Sequence, residues 1–378
     1  MPTKKLESEE ELVDFVVGCT FLGTGGGGAP EEGLKLLKRE FENGREIKWT
    51  DISEVDDDAW TASPFLMGSI APITHEIKEK MEKLGLREIK CDRKLVEALK
   101  MLEEYTGKEI DVIVAGEIGG ANTPGPLAAA AHLKKIIVDG DYAGRAVPEI
   151  PQSTPYLNNK PIWPIVSVDA WGGKTVIKEA INYDMAERVG KLISAAAFGL
   201  VGDAGFLMKA KDMKEIIVEG TLSESLKIGK AIREARDSGK DPIHTVINEI
   251  NGWLLFKGIV VKKEWEDKEG YYWGTHELSG IEEFNGQKFK YWFKNENHIS
   301  WIDGKAYVAS PDIFTAVDIE TGQPMINPNI KKADELAIIG MKARGQFRTE
   351  KGLEILGPKH FGFDIEYAPI EKIIDAIQ

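Results

Sequence analysis

Two short runs, "DVIVAGE" (111–117) and "KIIVDGD" (135–141), limit the fold more than any other feature of the chain. Each is apolar at consecutive positions and closes on acids, and an alanine-rich segment of helical character (125–132) lies between them. A strand that is apolar on both faces must be covered on both faces, which is the situation of a parallel strand in an α/β sheet. Ligands in such sheets gather outside the carboxyl ends of the strands. Glu117, Asp139 and Asp141 therefore fall on the expected functional edge.

The same alternation continues on either side. Ser8 and Glu11 have capping-box spacing and open a helix over about 9–19. Pro30 suits the first turn of a second helix that Asn43-Gly44 stops. Further helices are expected at 74–84 and 92–106, with a buried strand at 65–67. Five prolines in 148–164 read as a crossing segment. Beyond it, 182–198, 223–238 and 241–250 read as helices, and 200–208 and 215–219 as strands. From 253 to about 318 aromatic residues alternate as in strands and hairpins. The expected class is α/β. An N-terminal domain (1–165) holds a mostly parallel sheet flanked by helices, and a C-terminal mixed α/β domain (166–378) has a β-rich section at about 253–318.

The 62 acidic residues outnumber 48 basic ones, giving a net charge of −14. That balance argues against nucleic acid or an anionic membrane as the main partner, since phosphate binding needs clustered Lys and Arg. Only Cys19 and Cys91 are present, with no disulfide framework, and the N-terminal residues lack an apolar signal core. A cytoplasmic protein is expected. The six histidines have no zinc-ligand spacing, and no Ser/His/Asp arrangement stands out.

Three glycine-bearing loops carry the candidate chemistry. "GCTFLGTGGGGAP" (18–30) joins two helices. It lacks the Lys-Ser/Thr of a phosphate loop and follows no strand. Thr24 and the backbone N–H groups of Gly25, Gly26, Gly27 and Gly28 are expected to form an anion- or carbonyl-binding nest before the Pro30 helix. "AGEIGGANTPGP" (115–126) offers Glu117 and Asn122 beside a glycine pair. "VDGDYAGRAVPE" (138–149) places Asp139 and Asp141 two apart, with Arg145 and Glu149 following. Paired carboxylates can act as base and acid, share a divalent metal, or be held by the arginine. Cys19, at the end of its helix, reads as a small buried residue.

These motifs in this order, "FLGTGGGGAP" (21–30), "EIGGANTPGPLAAA" (117–130) and "VDGDYAGRAVPE" (138–149), resemble the S-methyl-thiohydantoin desulfurase family. The resemblance covers nearly the whole chain and is looser in the C-terminal half. Two positions depart from it: Ala29 stands where a polar or acidic residue usually follows the glycines, and Gln152 where methionine is common. The resemblance implies an α/β N-terminal domain and a cytoplasmic catabolic enzyme acting on a thiohydantoin- or hydantoin-like ring. On that reading water attacks the ring's thiocarbonyl-type carbon and sulfide or thiol leaves. Asp139 or Asp141 serves as base with Glu117, Gly25 to Gly28 donate N–H groups, Asn122 orients the ring, and Arg145 and Glu149 complete the contacts. No cofactor is evident, and a divalent metal is compatible with the carboxylates. A symmetric homo-oligomer is the commonest assembly for such enzymes. The rival readings are a non-catalytic subunit that binds a hydantoinase-like partner, and a nucleotide-binding enzyme.

Overall fold

The structure, a computed structural model, describes residues 3–376. Along the chain it runs β1 (Lys4–Lys5), α1 (Glu9–Leu22), α2 (Pro30–Glu42), β2 (Lys48–Trp49), β3 (Trp60–Met67), α3 (His75–Lys83), α4 (Lys94–Thr106), β4 (Val112–Ala115), α5 (Pro124–Leu133) and β5 (Ile136–Asp141). Next come α6 (Thr154–Leu157), β6 (Ile165–Val168), β7 (Lys174–Ile177), α7 (Tyr183–Ala196), β8 (Val201–Lys209), α8 (Ala210–Lys214), β9 (Val218–Glu219), α9 (Thr221–Asp237) and α10 (Pro242–Glu249). The last part is β10 (Trp253–Lys268), β11 (Tyr271–Gly280), β12 (Lys288–Lys294), β13 (Glu296–Ile302), β14 (Lys305–Ala309), β15 (Ile313–Asp318), β16 (Glu335–Met341), α11 (Glu350–Leu356) and α12 (Ile370–Asp375).

Helix starts follow local chemistry. The Ser8 hydroxyl accepts from Glu11 N at 3.2 Å, while the Glu11 carboxylate reaches back to Glu7 N at 2.8 Å. Each bond satisfies a donor that the first turn leaves open. Pro30 occupies the first turn of α2, and the Asn182 side chain caps α7 by accepting from Met185 N.

The first seven-stranded sheet has the order β7-β6-β8-β3-β4-β5-β9. It is parallel only at its centre, β3 with β4 and β4 with β5; β8, β6, β7 and β9 add antiparallel pairings. The expected mostly parallel sheet is thus a mixed one. The physical reason is that its flanks are built by strands between 165 and 219, which return as hairpins and short edges rather than through helical crossovers. One sheet therefore draws on both sides of the expected division at 165. The second seven-stranded sheet, β14-β13-β12-β11-β10-β16-β15, is antiparallel throughout, and β16 carries the β-rich part to Met341.

α1 lies at the centre of the molecule, with all of Phe15, Cys19, Phe21 and Leu22 out of contact with solvent. It crosses α9 so closely that a Cβ on Gly18 would fall 1.7 Å from Ser225 O. The largest apolar cluster joins α1, α4, α5 and α9 to the inner face of the first sheet, and reaches Ile313 and Ile339 of the second. Among the described residues no helix is long and apolar enough to cross a membrane.

Candidate functional site

The glycine loop lies where the two sheets meet, and the second half of the chain stitches it in place. Thr24 has a left-handed backbone (φ 44°); its hydroxyl donates to Phe314 O at 2.7 Å and its carbonyl accepts from Asn297 N at 2.8 Å. Asn327 N donates to Gly25 O, also at 2.8 Å. Gly27 N then donates to Glu296 Oε1 at 3.0 Å. The loop is a nest that receives the chain's own carboxylate. Its glycines are required by close approach: a Cβ on Gly26 would lie 2.0 Å from Glu296 Oε1, and one on Gly27 would lie 2.5 Å from Gly119 Cα.

Gly27 and Gly28 form one wall of a cavity of about 680 Å³, counted with its open mouth. Glu117, at the end of β4, lines it with Asn122 and Glu149. Asn122 Nδ2 donates to Glu117 Oε1, and Val147 N donates to Glu117 Oε2 at 2.6 Å. Asn122 N donates to Gly27 O at 3.1 Å, so backbone and side chain link Glu296, Gly27, Asn122 and Glu117 in series. Phe65 and Met67 of β3, Ile150 and Phe206 supply an apolar wall.

Four charged side chains at this cavity were not among the sequence candidates: Glu187, Lys191, Glu296 and, just behind, Lys294. Glu187 and Lys191 come from α7, one turn apart, with 3.7 Å between Oε1 and Nζ. Glu187 also accepts from Tyr271 Oη at 2.6 Å and Ile150 N at 2.9 Å. Lys191 and Lys294 stand 4.3 Å and 4.0 Å from the centre of the Tyr271 ring. Glu149 is held by Lys294 through Oε1 and by His360 Nε2 at 2.7 Å through Oε2. Against burial, the hydrogen bond from His360 and the Lys294 ammonium pull the Glu149 carboxyl down to about 2.

Glu117 and Glu296 behave oppositely. Burial pushes both carboxyls well above the ordinary range; the Glu117 charge raises Glu296 further and the Asp141 charge raises Glu117, while Arg145 behind Glu296 eases its ionisation. Two like acids in one buried network resist ionising together, which favours a proton shared between them. Glu296 Oε2 and Asn122 Oδ1 are buried without a hydrogen-bond partner among the described residues. Both are groups that a ligand would satisfy.

The other expected residues are placed and bonded as follows. Asp139 lies outside this cavity: its Oδ1 accepts from Leu222 N and Ser223 N, both at 3.0 Å, and its Oδ2 from Ser223 Oγ at close range. It caps α9 from β5, where Gly220 has no side chain to do so. Asp141 is fully buried beneath the loop, accepting from Ala143 N and Gly144 N at 2.8 and 2.7 Å, and burial lifts its carboxyl to about 6. Arg145 is spent on the carbonyls of Ala146, Asn297, Pro311 and Asp312 at 3.0–3.3 Å, and so ties the two halves together instead of meeting an open carboxylate. Thr24, Gly25 and Gly26 support the loop without lining the cavity, whereas Gly27, Gly28, Glu117, Asn122 and Glu149 do line it. Ala29 faces a neighbouring cavity beside Ala121 and Leu200, and the Gln152 side chain donates to Ile355 O. Cys19 is buried, its thiol pushed up to about 12. Among the described residues no group of three His, Cys, Asp or Glu side chains is arranged to hold a metal ion.

The missed glutamate sits in "KNENHIS", a run of polar residues inside an aromatic sheet. Asn295, Glu296, Asn297 and His298 are all buried, and a polar run where aromatics alternate was the available signal.

Residues 10–179 match the S-Me-THD-like N-terminal domain, and residues 181–370 match the S-Me-THD-like C-terminal domain. No curated protein matches the chain. A crystal structure of a protein from Chromobacterium violaceum shares the fold with a TM-score of 0.74 and 19% identity, covering 97% of this chain and 100% of that one.

Proposed function

We propose, for a chain that belongs to the S-Me-THD-like family over residues 10–370, that the cavity hydrolyses a small sulfur-bearing heterocycle of the thiohydantoin type. The observation that supports it is the Glu117–Glu296 pair: two buried carboxyls of raised affinity for protons, tied through Gly27 and Asn122 at one end of a part-apolar slot.

The chemistry needs a base and an acid together. The ionised member takes a proton from water, whose oxygen bonds to the ring carbon that bears sulfur. The ring C=N (or C=S) bond opens and its electron pair takes the proton of the second carboxyl. The first carboxyl, now carrying the proton from water, gives it to the departing sulfur as the C–S bond breaks. The hydroxyl proton passes to the second carboxylate and leaves a ring carbonyl, so water is consumed, one thiol or hydrogen sulfide is released, and both carboxyls return to their starting states. Asn122 Oδ1 accepts a ring N–H, Lys191 faces charge that grows on the ring, and Phe65, Ile150 and Phe206 stack against it. Three glutamates lining the cavity with Glu117 make it unfavourable to a nucleotide's phosphates, and the Gly27 N–H already holds Glu296.

Incubation of the purified chain with an S-methyl thiohydantoin, following thiol release and carbonyl formation by mass, tests the reading. Turnover that falls in Glu117→Gln and Glu296→Gln supports it. No turnover by the wild type, or undiminished turnover in both variants, refutes it.

A further inference from the structure

Glu296 opens β13 directly after Asn295, which turns the chain out of β12 with a left-handed backbone (φ 58°). Asn295 N donates to Tyr272 O at 2.7 Å, and its Oδ1 accepts from Tyr272 N at 2.8 Å. A further grip on the residues either side of Glu296 comes from the segment between β15 and β16. There Asn327, which has no exposure to solvent, donates through Nδ2 to Asn295 O and to Asn297 Oδ1, both at 2.9 Å. Its backbone N donates to Gly25 O at 2.8 Å. One residue therefore holds both chain neighbours of the carboxyl and the loop that donates to it. The fit is close: a Cβ on Gly25 would lie 2.5 Å from Asn327 Nδ2 and 2.7 Å from Asn297 Oδ1. Two acceptors face this side chain, so the position calls for a group with two N–H donors. Asn327 itself does not line the cavity.

We propose that Asn327 is a positioning residue, which sets the Glu296 carboxyl against Gly27 N and so fixes its place opposite Glu117. The catalytic consequence rests on the reaction proposed above; the placement of the carboxyl does not. Without the amide, Asn295 O and Asn297 Oδ1 lose a donor inside the protein, and the turn that carries Glu296 shifts to find others. The 3.0 Å bond from Gly27 N to Glu296 Oε1 is then weakened. That bond favours the ionised carboxyl, so its loss moves the Glu296 titration upward. The charged and titratable groups that face Glu296, namely Glu117, Arg145, Lys191 and Tyr271, are left in place by a change at Asn327.

Asn327→Leu tests this, since leucine is close to asparagine in shape and removes both donors. The ¹³C resonance of the Glu296 carboxyl, assigned by its absence from Glu296→Gln, is titrated in the full chain without substrate. It should titrate at higher pH in Asn327→Leu than in the wild type. With an S-methyl thiohydantoin, kcat should fall by ~10²-fold, the loss that follows from a small misplacement of a catalytic group, while KM is unchanged. Ile330→Ala, fully buried in the same segment, is the control for simple loosening: its melting temperature falls while the Glu296 titration and kcat stay as in the wild type. If Asn327→Leu does not fold, Asn327→Ser decides by the same readouts. An unmoved Glu296 titration in the folded Asn327 variant overturns the proposal, and so does an equal shift in Ile330→Ala. The titration needs no substrate, so it decides the positioning even where the wild type fails to turn over the thiohydantoin and the reaction itself is refuted.

Discussion

Replacing Gly26 by alanine separates the role of the glycine loop in chemistry from its role in folding. Gly26, unlike Gly25, Gly27 and Gly28, does not have a positive φ, so its backbone accepts a Cβ. The space does not: the new methyl would sit 2.0 Å from Glu296 Oε1 and 2.6 Å from its Cδ. The carboxylate is the mobile end of its side chain and must swing away, giving up the 3.0 Å bond from Gly27 N. Leaving a buried hydrogen-bonding group without its partner costs about 1–3 kcal/mol, and alanine's smaller unfolded-state entropy returns about 0.4–1 kcal/mol. The net loss of stability is at most about 2.6 kcal/mol on those figures. Turnover should fall far more, by the ~10²–10⁴-fold that a general acid or base supplies. Gly27→Ala is the control. Its Cβ would meet the Gly119 backbone at 2.5 Å, from a φ of 71°. Left-handed strain and overpacking together cost about 2–5 kcal/mol. Urea melts and thiol release, measured side by side, should put Gly27→Ala lower in stability and Gly26→Ala low in turnover while still folded. Wild-type turnover in Gly26→Ala would refute the place given to Glu296, and so would a loss of stability equal to that of Gly27→Ala.

Further outcomes follow from the same geometry. The pH profile of kcat/KM should be a bell for the wild type, and Glu296→Gln should lose one limb along with ~10²–10⁴-fold in rate; a full bell in the variant counts against a shared proton. Asp139→Ala should lower stability by about 0.5–2 kcal/mol through the open end of α9 while leaving kcat unchanged; a fall in kcat would return Asp139 to the chemistry. Asp203 is fully buried in β8, opposite Ser167 of β6. Burial raises its carboxyl from 3.8 to about 7. Below about pH 4 both the folded and unfolded forms are protonated; as pH climbs toward 7 the unfolded form ionises first, so stability drains away. Asp203→Asn should therefore stabilise at pH 8, by ~4 kcal/mol at most, with the gain vanishing at pH 4. Thermal melts of both proteins at the two pH values check this, and a pH-independent difference would refute it.

What the sequence disclosed divides along physical lines. Helix limits were legible wherever a side chain caps its own first turn, as Ser8 does, or a proline sets it, as Pro30 does. β4 and β5 were legible because burial on both faces leaves an unbroken apolar run. The antiparallel flanks of that sheet were not, since strands as short as Val218–Glu219 hold no period and their pairing is set by distant partners. At the site, Glu117, Asn122, Glu149 and the last two glycines of the loop could be gathered from local motifs. Asp139 could not be told from a catalytic acid, because its cap lies on a helix that starts 82 residues later, at Thr221. Arg145 looked free for a carboxylate because the carbonyls that consume it belong to strands far down the chain. Glu187 and Lys191 were hidden in a helix whose inner face has meaning only once Tyr271 is opposite it.

The contact between Gly27 N and the Glu296 carboxylate spans 269 positions of the chain. Bringing such distant residues together carries a loop-closure cost that earlier local contacts do not offset, so it is among the late events of folding. A polypeptide still being synthesised holds Glu117 and the glycine loop long before Glu296 exists, and at that stage it has half of the proposed acid–base pair in an unfinished wall. The wall is completed when β13 closes over a loop made some 270 residues earlier. On the proposed function, a cut that removes the last third of the protein spares most of the first sheet and leaves it without turnover.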